Sequence, residues 1–127
     1  MNPVVVSSIP DNGVIEVFIG TKIHGSVGLV DITLPQVLTE SKLITISCDQ
    51  VDSTCFNRKR LLRAFYCRNQ KSYTTINFHH VMYYKVDSSD YKLTIRLFDE
   101  NGPLQMTSTV LMTLNLQPDH TKRWINM

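Results

Sequence analysis

The chain has 127 residues, of which 43% are hydrophobic, and a formal net charge of +2. This length predicts a single domain, and it allows a core large enough for folding without disulfides or metals. A charge balance this close to neutral argues against a module directed mainly at nucleic acid, which usually carries a strongly basic surface.

The beginning of the sequence, MNPVVVSSIPDNG, lacks the basic region and the long apolar run of a signal peptide. No segment approaches the ~20 consecutive apolar residues that a membrane-spanning helix needs. No N-glycosylation sequon occurs either. These features predict a soluble intracellular product without a membrane partner.

The three cysteines are Cys48, Cys55 and Cys67, and no C-x-x-C motif is present. An odd count without that motif argues against a disulfide framework or a structural zinc site. Reduced, mostly buried thiols are therefore expected. A single bridge between Cys48 and Cys55 across one turn stays open as the alternative.

Helix signals are nearly absent, and apolar residues instead alternate with a period of two, which is typical of half-buried strands. Turn signals separate most of the strands, at PDNG, GTKIHG, SSD and DENGP. The eight candidate strands are PVVVSSI, VIEVFIG, GLVDITLP, LITISC, RLLRAFYC, SYTTINFHHVMYYKV, KLTIRLF and TVLMTLNLQP. We predict a single eight-stranded antiparallel jelly-roll sandwich over residues 1–118. Residues 119–127 form a C-terminal tail that breaks the alternation and is a candidate intersubunit arm.

One face of each alternating strand is predicted to form the core. The expected core residues are Ile15, Val17, Val30, Ile32, Ile44, Ile46, Leu93, Ile95, Leu97, Met112, Leu114 and Leu116.

The acidic run after the seventh candidate strand begins with Asp99 and Glu100. Adjacent strand residues face opposite ways, so these two carboxylates do not easily converge as an acid–base pair. Asn101-Gly102 is a strong turn signal, and Pro103 keeps the next residues extended. The run therefore predicts the end of a strand and a turn.

No catalytic signature is present, and we expect neither an enzyme nor a cofactor. His79 and His80 are consecutive in a predicted strand, so their side chains would project to opposite faces and could not share a metal. The other two histidines, His24 and His120, are isolated in the sequence.

The segment NRKRLLR places four cations close together, at Arg58, Lys59, Arg60 and Arg63. Such a cluster could contact phosphates weakly or act as a nuclear import signal. The alternative is a solvated loop that leads into a strand.

The five tyrosines cluster in the middle third of the chain, and alternate ones should face outward, as interface residues or simply as strand formers. In the tail, Arg123, Trp124 and Ile125 are the candidate intersubunit contacts. Trp124 is the lone tryptophan and could anchor in a neighbouring subunit. Packing of Trp124 against its own sandwich is the alternative.

Four segments in order resemble a family pattern. RLLRAFYC at 60–67 is similar to the L-L-R-x-F-P segment of small jelly-roll proteins from polinton- and adintovirus-like elements, which are allied to adenoviruses. NFHHVMYYKVD at 77–87 is similar to their aromatic strand, and LTIRLFDENGPL at 93–104 to their I-x-I-x-D-x-x-G-x-P segment. VLMTLNLQP at 110–118 is similar to their closing strand.

The resemblance covers most of residues 14–118 and rests on the order and spacing of the four segments. Tyr66 departs from it, because the family tends to have proline there. The resemblance implies a capsid component of a virion, either a vertex protein or a minor capsid protein. It carries over no catalytic residue.

We therefore expect a structural virion protein that assembles with copies of itself and with other capsid proteins. Its location would be the virion, after assembly inside the host cell, with the nucleus as one candidate compartment. A jelly-roll binding module that recognises a receptor or a glycan is the alternative. A packaging protein that contacts nucleic acid through the NRKRLLR cations is the third interpretation.

Overall fold

The computed structural model describes residues 2–35, 42–51, 60–67, 73–88, 91–104 and 106–118. Its strands are β1 Asn2–Ser8, β2 Val14–Phe18, β3 Ile23–Pro35, β4 Lys42–Cys48, β5 Leu61–Cys67, β6 Tyr73–Asn77, β7 Tyr83–Ser88, β8 Lys92–Asp99, β9 Gly102–Pro103 and β10 Val110–Pro118. The described residues contain no helix.

The strands form two antiparallel sheets that pack face to face. In the first sheet the order is β1-β10-β3-β6, and β7 also pairs with β3. In the second sheet the order is β2-β8-β4-β5, and β9 also pairs with β8. The prediction of an all-β sandwich is therefore confirmed.

The space between the sheets holds the core, and all of the predicted core residues except Val30 are buried there. Additional core residues come from segments where the alternation was less regular. They include Val6, Val27, Leu29, Leu62, Phe78, Val86 and Leu104.

Val30 is only half-buried because β3 contains a β-bulge at this point. Asp31 pairs with Thr113 and Leu29 pairs with Leu114, so Val30 is the extra residue on β3. A bulge of this kind shifts the alternation by one residue. Leu29 and Val27 face the core on one side of the bulge, and Ile32 and Leu34 on the other.

The long predicted strand SYTTINFHHVMYYKV is in fact two strands, β6 and β7, that pair with successive parts of β3. β6 pairs with Asp31–Pro35 and β7 with Ile23–Gly28. Between them Phe78 is buried, and its N–H donates to the carbonyl of Val30 at 3.0 Å. The chain then bends, because Phe78 enters the core and the next strand must pair beyond the bulge.

This bend corrects the prediction for His79 and His80. Both side chains are exposed in the bend and do not belong to a strand. The bend also passes close to Gly28. A Cβ atom at Gly28 would lie 2.6 Å from Cγ1 of Val81 and 3.0 Å from the carbonyl oxygen of Met82, so only glycine fits there.

The acidic run forms the turn that the sequence predicts. The Asp99 carboxylate accepts a hydrogen bond from the N–H of Asn101 at 2.7 Å. β9 then pairs back on β8, with Pro103 opposite Phe98 and Gly102 opposite Asp99. The stretch from Asp99 to Pro103 is therefore a hairpin turn.

The side chain of Gln50 extends the second sheet beyond the end of β4. The last ladder pair between β4 and β8 is Cys48 with Ile95. Past it, Oε1 of Gln50 accepts a hydrogen bond from the N–H of Thr94 at 2.8 Å, and Nε2 donates to Oγ1 of Thr94 at 3.4 Å. Thr94 is buried, so its N–H needs a hydrogen-bond acceptor. The Gln50 side chain takes the place of the backbone carbonyl that a neighbouring strand would otherwise supply.

The substitution Gln50→Ala should therefore destabilise the fold. It leaves the buried N–H of Thr94 without its acceptor, which costs about 1–3 kcal/mol. Urea unfolding of the variant measures the loss. The matched control is Gln117→Ala, the same change at a half-buried position of β10. Equal effects of the two changes would contradict the role given to Gln50.

Candidate interaction surfaces

The outer face of the first sheet carries two exposed apolar side chains next to each other. Val5 on β1 is 74% exposed and Leu111 on β10 is 40% exposed. Val5 pairs with Thr113, and Leu111 pairs with Ser7, so Val5 and Leu111 are diagonal neighbours across the two strands. Diagonal neighbours of this kind lie within reach of one another.

The residues around this pair are polar but almost uncharged. One row across the sheet runs from Leu111 through Thr33 to Thr75. The hydroxyl oxygens of Thr33 and Thr75 are 2.8 Å apart. We define the outer face as the part of this side of the first sheet formed by Val5, Ser7, Asp31, Thr33, Thr75, Asn77, Leu111 and Thr113. Asp31 is the one charged member of this set, and the exposed Lys85 of β7 lies farther along the same side of the sheet, opposite Ser26. Interface centres are typically depleted of charge in this way.

The outer face of the second sheet holds a cleft of about 500 Å³. Thr45 and Ser47 of β4 form part of its lining, together with Phe98 of β8. Arg60 and Glu100 also contribute to the lining. The cleft therefore combines an aromatic side chain with hydroxyl groups and charges of both signs.

The strongest polar contact beside this cleft is the ion pair between Asp49 and Arg96. Nε and Nη2 of Arg96 each donate to one carboxylate oxygen of Asp49, at 2.9 Å. The hydrogen bond to Asp49 and the charge of that residue raise the pKa of Arg96. Both side chains are about 40% exposed, so water weakens the contribution of the pair to stability.

Arg60 and Glu100 also make contacts within the chain. Nη1 of Arg60 donates to the backbone carbonyl of Asp49. Oε1 of Glu100 accepts a hydrogen bond from the N–H of Leu43 at 3.2 Å, which ties the turn after β8 to β4. Asp99 and Glu100 both line the cleft, but each accepts a hydrogen bond from a different backbone N–H.

Of the predicted basic patch, Arg58 and Lys59 lie outside the described residues. Arg60 borders the cleft, whereas the guanidinium of Arg63 lies 4.5 Å from the centre of the Phe78 ring. Nη1 of Arg63 also donates to the carbonyl of His80 at 2.7 Å. The two described arginines thus make different contacts, and the phosphate-binding or import role of the segment stays a prediction.

The predicted tail contacts Arg123, Trp124 and Ile125 also lie outside the described residues. So does Cys55, while Cys48 and Cys67 are buried free thiols. In the parts of the chain that the structure describes, His, Cys, Asp and Glu side chains form no cluster of three or more that could hold a metal. Within the same ranges no helix is long and apolar enough to cross a membrane.

Exposed aromatic residues form a further class of surface feature. The tyrosine prediction holds in part, since Tyr66, Tyr73 and Tyr91 are 72%, 50% and 47% exposed. Phe18 is 74% exposed, and the sequence reasoning missed it. The signal was available, because Phe18 lies on the same face of β2 as the exposed Glu16.

No family model matches this sequence, and no curated protein matches it. A solved structure that matches is the Drosophila NLP-core, whose crystal structure is described as providing insight into pentamer formation and histone binding. The match covers 93% of this chain and 98% of that chain, at 12% identity and a TM-score of 0.43.

These comparisons correct the prediction of a structural virion protein. The matching structure is a histone-binding core, and no capsid protein is among the matches. The alternative of a receptor- or glycan-binding module gains nothing from them either. The resemblance to polinton-like capsid proteins has no matching family model behind it.

The thiol of Cys48 gives a testable dependence of stability on pH. Burial raises its pKa from 9.0 to about 11. Between these values the unfolded chain loses the thiol proton while the folded chain keeps it, so stability falls as pH rises from 9 to 11. The loss attributable to Cys48 should be about 2 kcal/mol.

Denaturant unfolding at pH 9, 10 and 11 measures this loss in the wild type and in Cys48→Ala. We expect the decline with pH to be shallower in the variant, because the titrating group is gone. Parallel declines in the two proteins would show that the Cys48 thiol titrates alike in the folded and unfolded chains.

Proposed function

We propose that this chain is a non-catalytic β-sandwich that acts by self-association, with the outer face of the first sheet as its contact surface. The observation that carries the proposal is the exposed pair of Val5 and Leu111 on a face with a single charge. Copies that meet through this face bury both side chains on each chain.

The energetics of such a contact are favourable on three counts. Complete burial of a fully exposed Val or Leu side chain contributes about 1.5–3 kcal/mol. Val5, at 74% exposure, would gain most of this, and Leu111, at 40%, a smaller share. Only Asp31 on this face carries a charge that would have to lose water. The threonine and asparagine side chains around the apolar pair can keep hydrogen bonds to each other, to water or to a partner at the rim.

The strand arrangement also supports the finer interpretation as a jelly roll. β6 and β7 pair with successive parts of β3, so they can be taken as one bent strand. With the two-residue β9 set aside, each sheet then has four strands and the total is eight. We propose that the fold is this eight-stranded jelly roll.

Light scattering after size exclusion tests the contact surface. The variant carries Val5→Lys and Leu111→Lys together, which places two charges at the centre of the proposed interface. We expect the wild-type mass to exceed that of one chain and to rise with concentration, and the variant mass to fall. Phe18→Lys is the matched control, because Phe18 is as exposed as Val5 but lies on the other sheet.

A wild type that stays a single chain at every concentration would overturn self-association. An equal fall of mass in the Phe18→Lys control would overturn the assignment to this face. Circular dichroism of each variant shows that the sandwich is intact, since all three positions are exposed and a lysine there displaces no core residue.

The tail prediction is tested by the same measurement on a chain that ends at Pro118. If Arg123, Trp124 and Ile125 contact a neighbouring subunit, we expect the truncated chain to have a lower mass at equal concentration and an unchanged urea midpoint. If Trp124 instead packs on its own sandwich, the midpoint falls and the mass stays the same. The single change Trp124→Ala separates the tryptophan from the rest of the tail.

A further inference from the structure

One end of the sandwich contains a groove between the two sheets. β2 ends there at Phe18, β3 begins at Ile23 and β10 ends at Pro118. The groove has a volume of about 280 Å³. Its lining comes from both sheets, because Ile19 follows β2 of the second sheet and Leu116 belongs to β10 of the first.

Half of this lining is apolar, and part of it is incompletely covered. The apolar members are Val4, Ile19, Ile23, Leu116 and Pro118. Ile23 and Leu116 are buried core residues, whereas Val4 and Ile19 pack against the core but are only half-buried. A further apolar side chain in the groove would remove this surface from water, which is favourable.

The chain itself carries a side chain that can fill the groove. The volume is small for a small-molecule site, since such pockets are about 300–1,000 Å³, and it suits one large side chain better. Pro118 lines the groove and is followed by DHTKRWINM, residues 119–127. Trp124 is six residues beyond Pro118, so it can reach any point within about 20 Å of that residue.

We propose that the tail turns back after β10 and places the indole ring of Trp124 in this groove, between Val4 and Ile19 of its own chain. The ring covers the half-buried parts of both side chains. Its N–H also needs a partner, as it usually does in a buried tryptophan. The hydroxyl groups of Thr21 and Ser26 line the same groove and can accept that hydrogen bond.

Docking within one chain is favoured over docking into a second copy because the two parts are already joined. A short flexible linker gives an effective concentration in the millimolar range. A second copy would first have to lose its translational and rotational freedom. The docking uses a different surface from the outer face of the first sheet, so it does not depend on the proposed function.

Fluorescence tests the docking directly, because Trp124 is the only tryptophan of the sequence. We expect an emission maximum at shorter wavelength than in the urea-unfolded chain, since the ring is shielded from water. Ile19→Lys and, separately, Val4→Lys place a charge in the groove and should shift the maximum to that of the unfolded chain. The matched control is Phe18→Lys, next to Ile19 but 74% exposed, which should leave the emission unchanged.

Milder substitutions test the same contact without introducing a charge. Trp124→Ala and Ile19→Ala should each lower the midpoint of urea unfolding. The double variant should lower it by less than the sum, because both single changes remove the same contact. With Phe18→Ala in place of Ile19→Ala the two effects should add. Circular dichroism of each variant checks that the sandwich is intact.

A wild-type emission maximum equal to that of the unfolded chain overturns the docking. A maximum that stays at short wavelength in both lysine variants of the groove, or additive effects of Trp124→Ala and Ile19→Ala, overturns the assignment to this groove. Dilution of the Val5→Lys, Leu111→Lys protein decides which chain supplies the ring. An emission that is independent of concentration supports docking within one chain, and a shift to longer wavelength on dilution overturns it.

Discussion

The structure depends on β3, which must form backbone hydrogen bonds with two strands, β6 and β7, along the same edge. β3 pairs with β10 on one side over most of its length, and on the other side with β6 and then β7. A regular strand would present one unbroken alternation to all three. The bulge at Val30 resets the alternation at the point where the partner changes, and it offers the Val30 carbonyl to the N–H of Phe78. The bend between β6 and β7, and the burial of Phe78, follow from this arrangement.

Three arginines in or beside the second sheet are engaged by groups of the same chain. Arg96 is paired with Asp49, Arg60 bonds to the Asp49 carbonyl, and Arg63 lies on Phe78. The exposed apolar pair of Val5 and Leu111 lies on the other sheet, away from these arginines. That surface suits association by shape and apolar contact more than by charge.

The sequence predicted most of the core because period-two alternation reports directly which side of a strand is buried. It worked for β2, β4, β8 and β10, where polar and apolar residues alternate over most of the strand. It failed at Val30, since a bulge depends on which strand lies alongside and leaves no trace in composition. It also merged β6 with β7, because Phe78 and Val81 continue the apolar pattern through the bend.

The surfaces were harder to predict than the core. β1 contains three consecutive valines, and such a run has no alternation to show which residues face the core. The sequence therefore could not show that Val5 faces outward while Val6 is buried. The edge position of β5 is a property of the sheet order, which local patterns do not encode. Arg60 and Arg63 are close in sequence, yet only the fold shows that one borders the cleft and the other lies over Phe78.

The position of β10 has a consequence for how the chain reaches its folded state. β10 lies between β1 and β3, so the first sheet brings the earliest described strand together with the latest. On the ribosome, β1 and β3 emerge long before the strand that must separate them. Pairings between such distant segments form slowly, because the entropy of closing a long loop is lost before any contact compensates for it. Until β10 has been synthesised, both strands present open edges, and this nascent stage is where the chain most needs protection by chaperones.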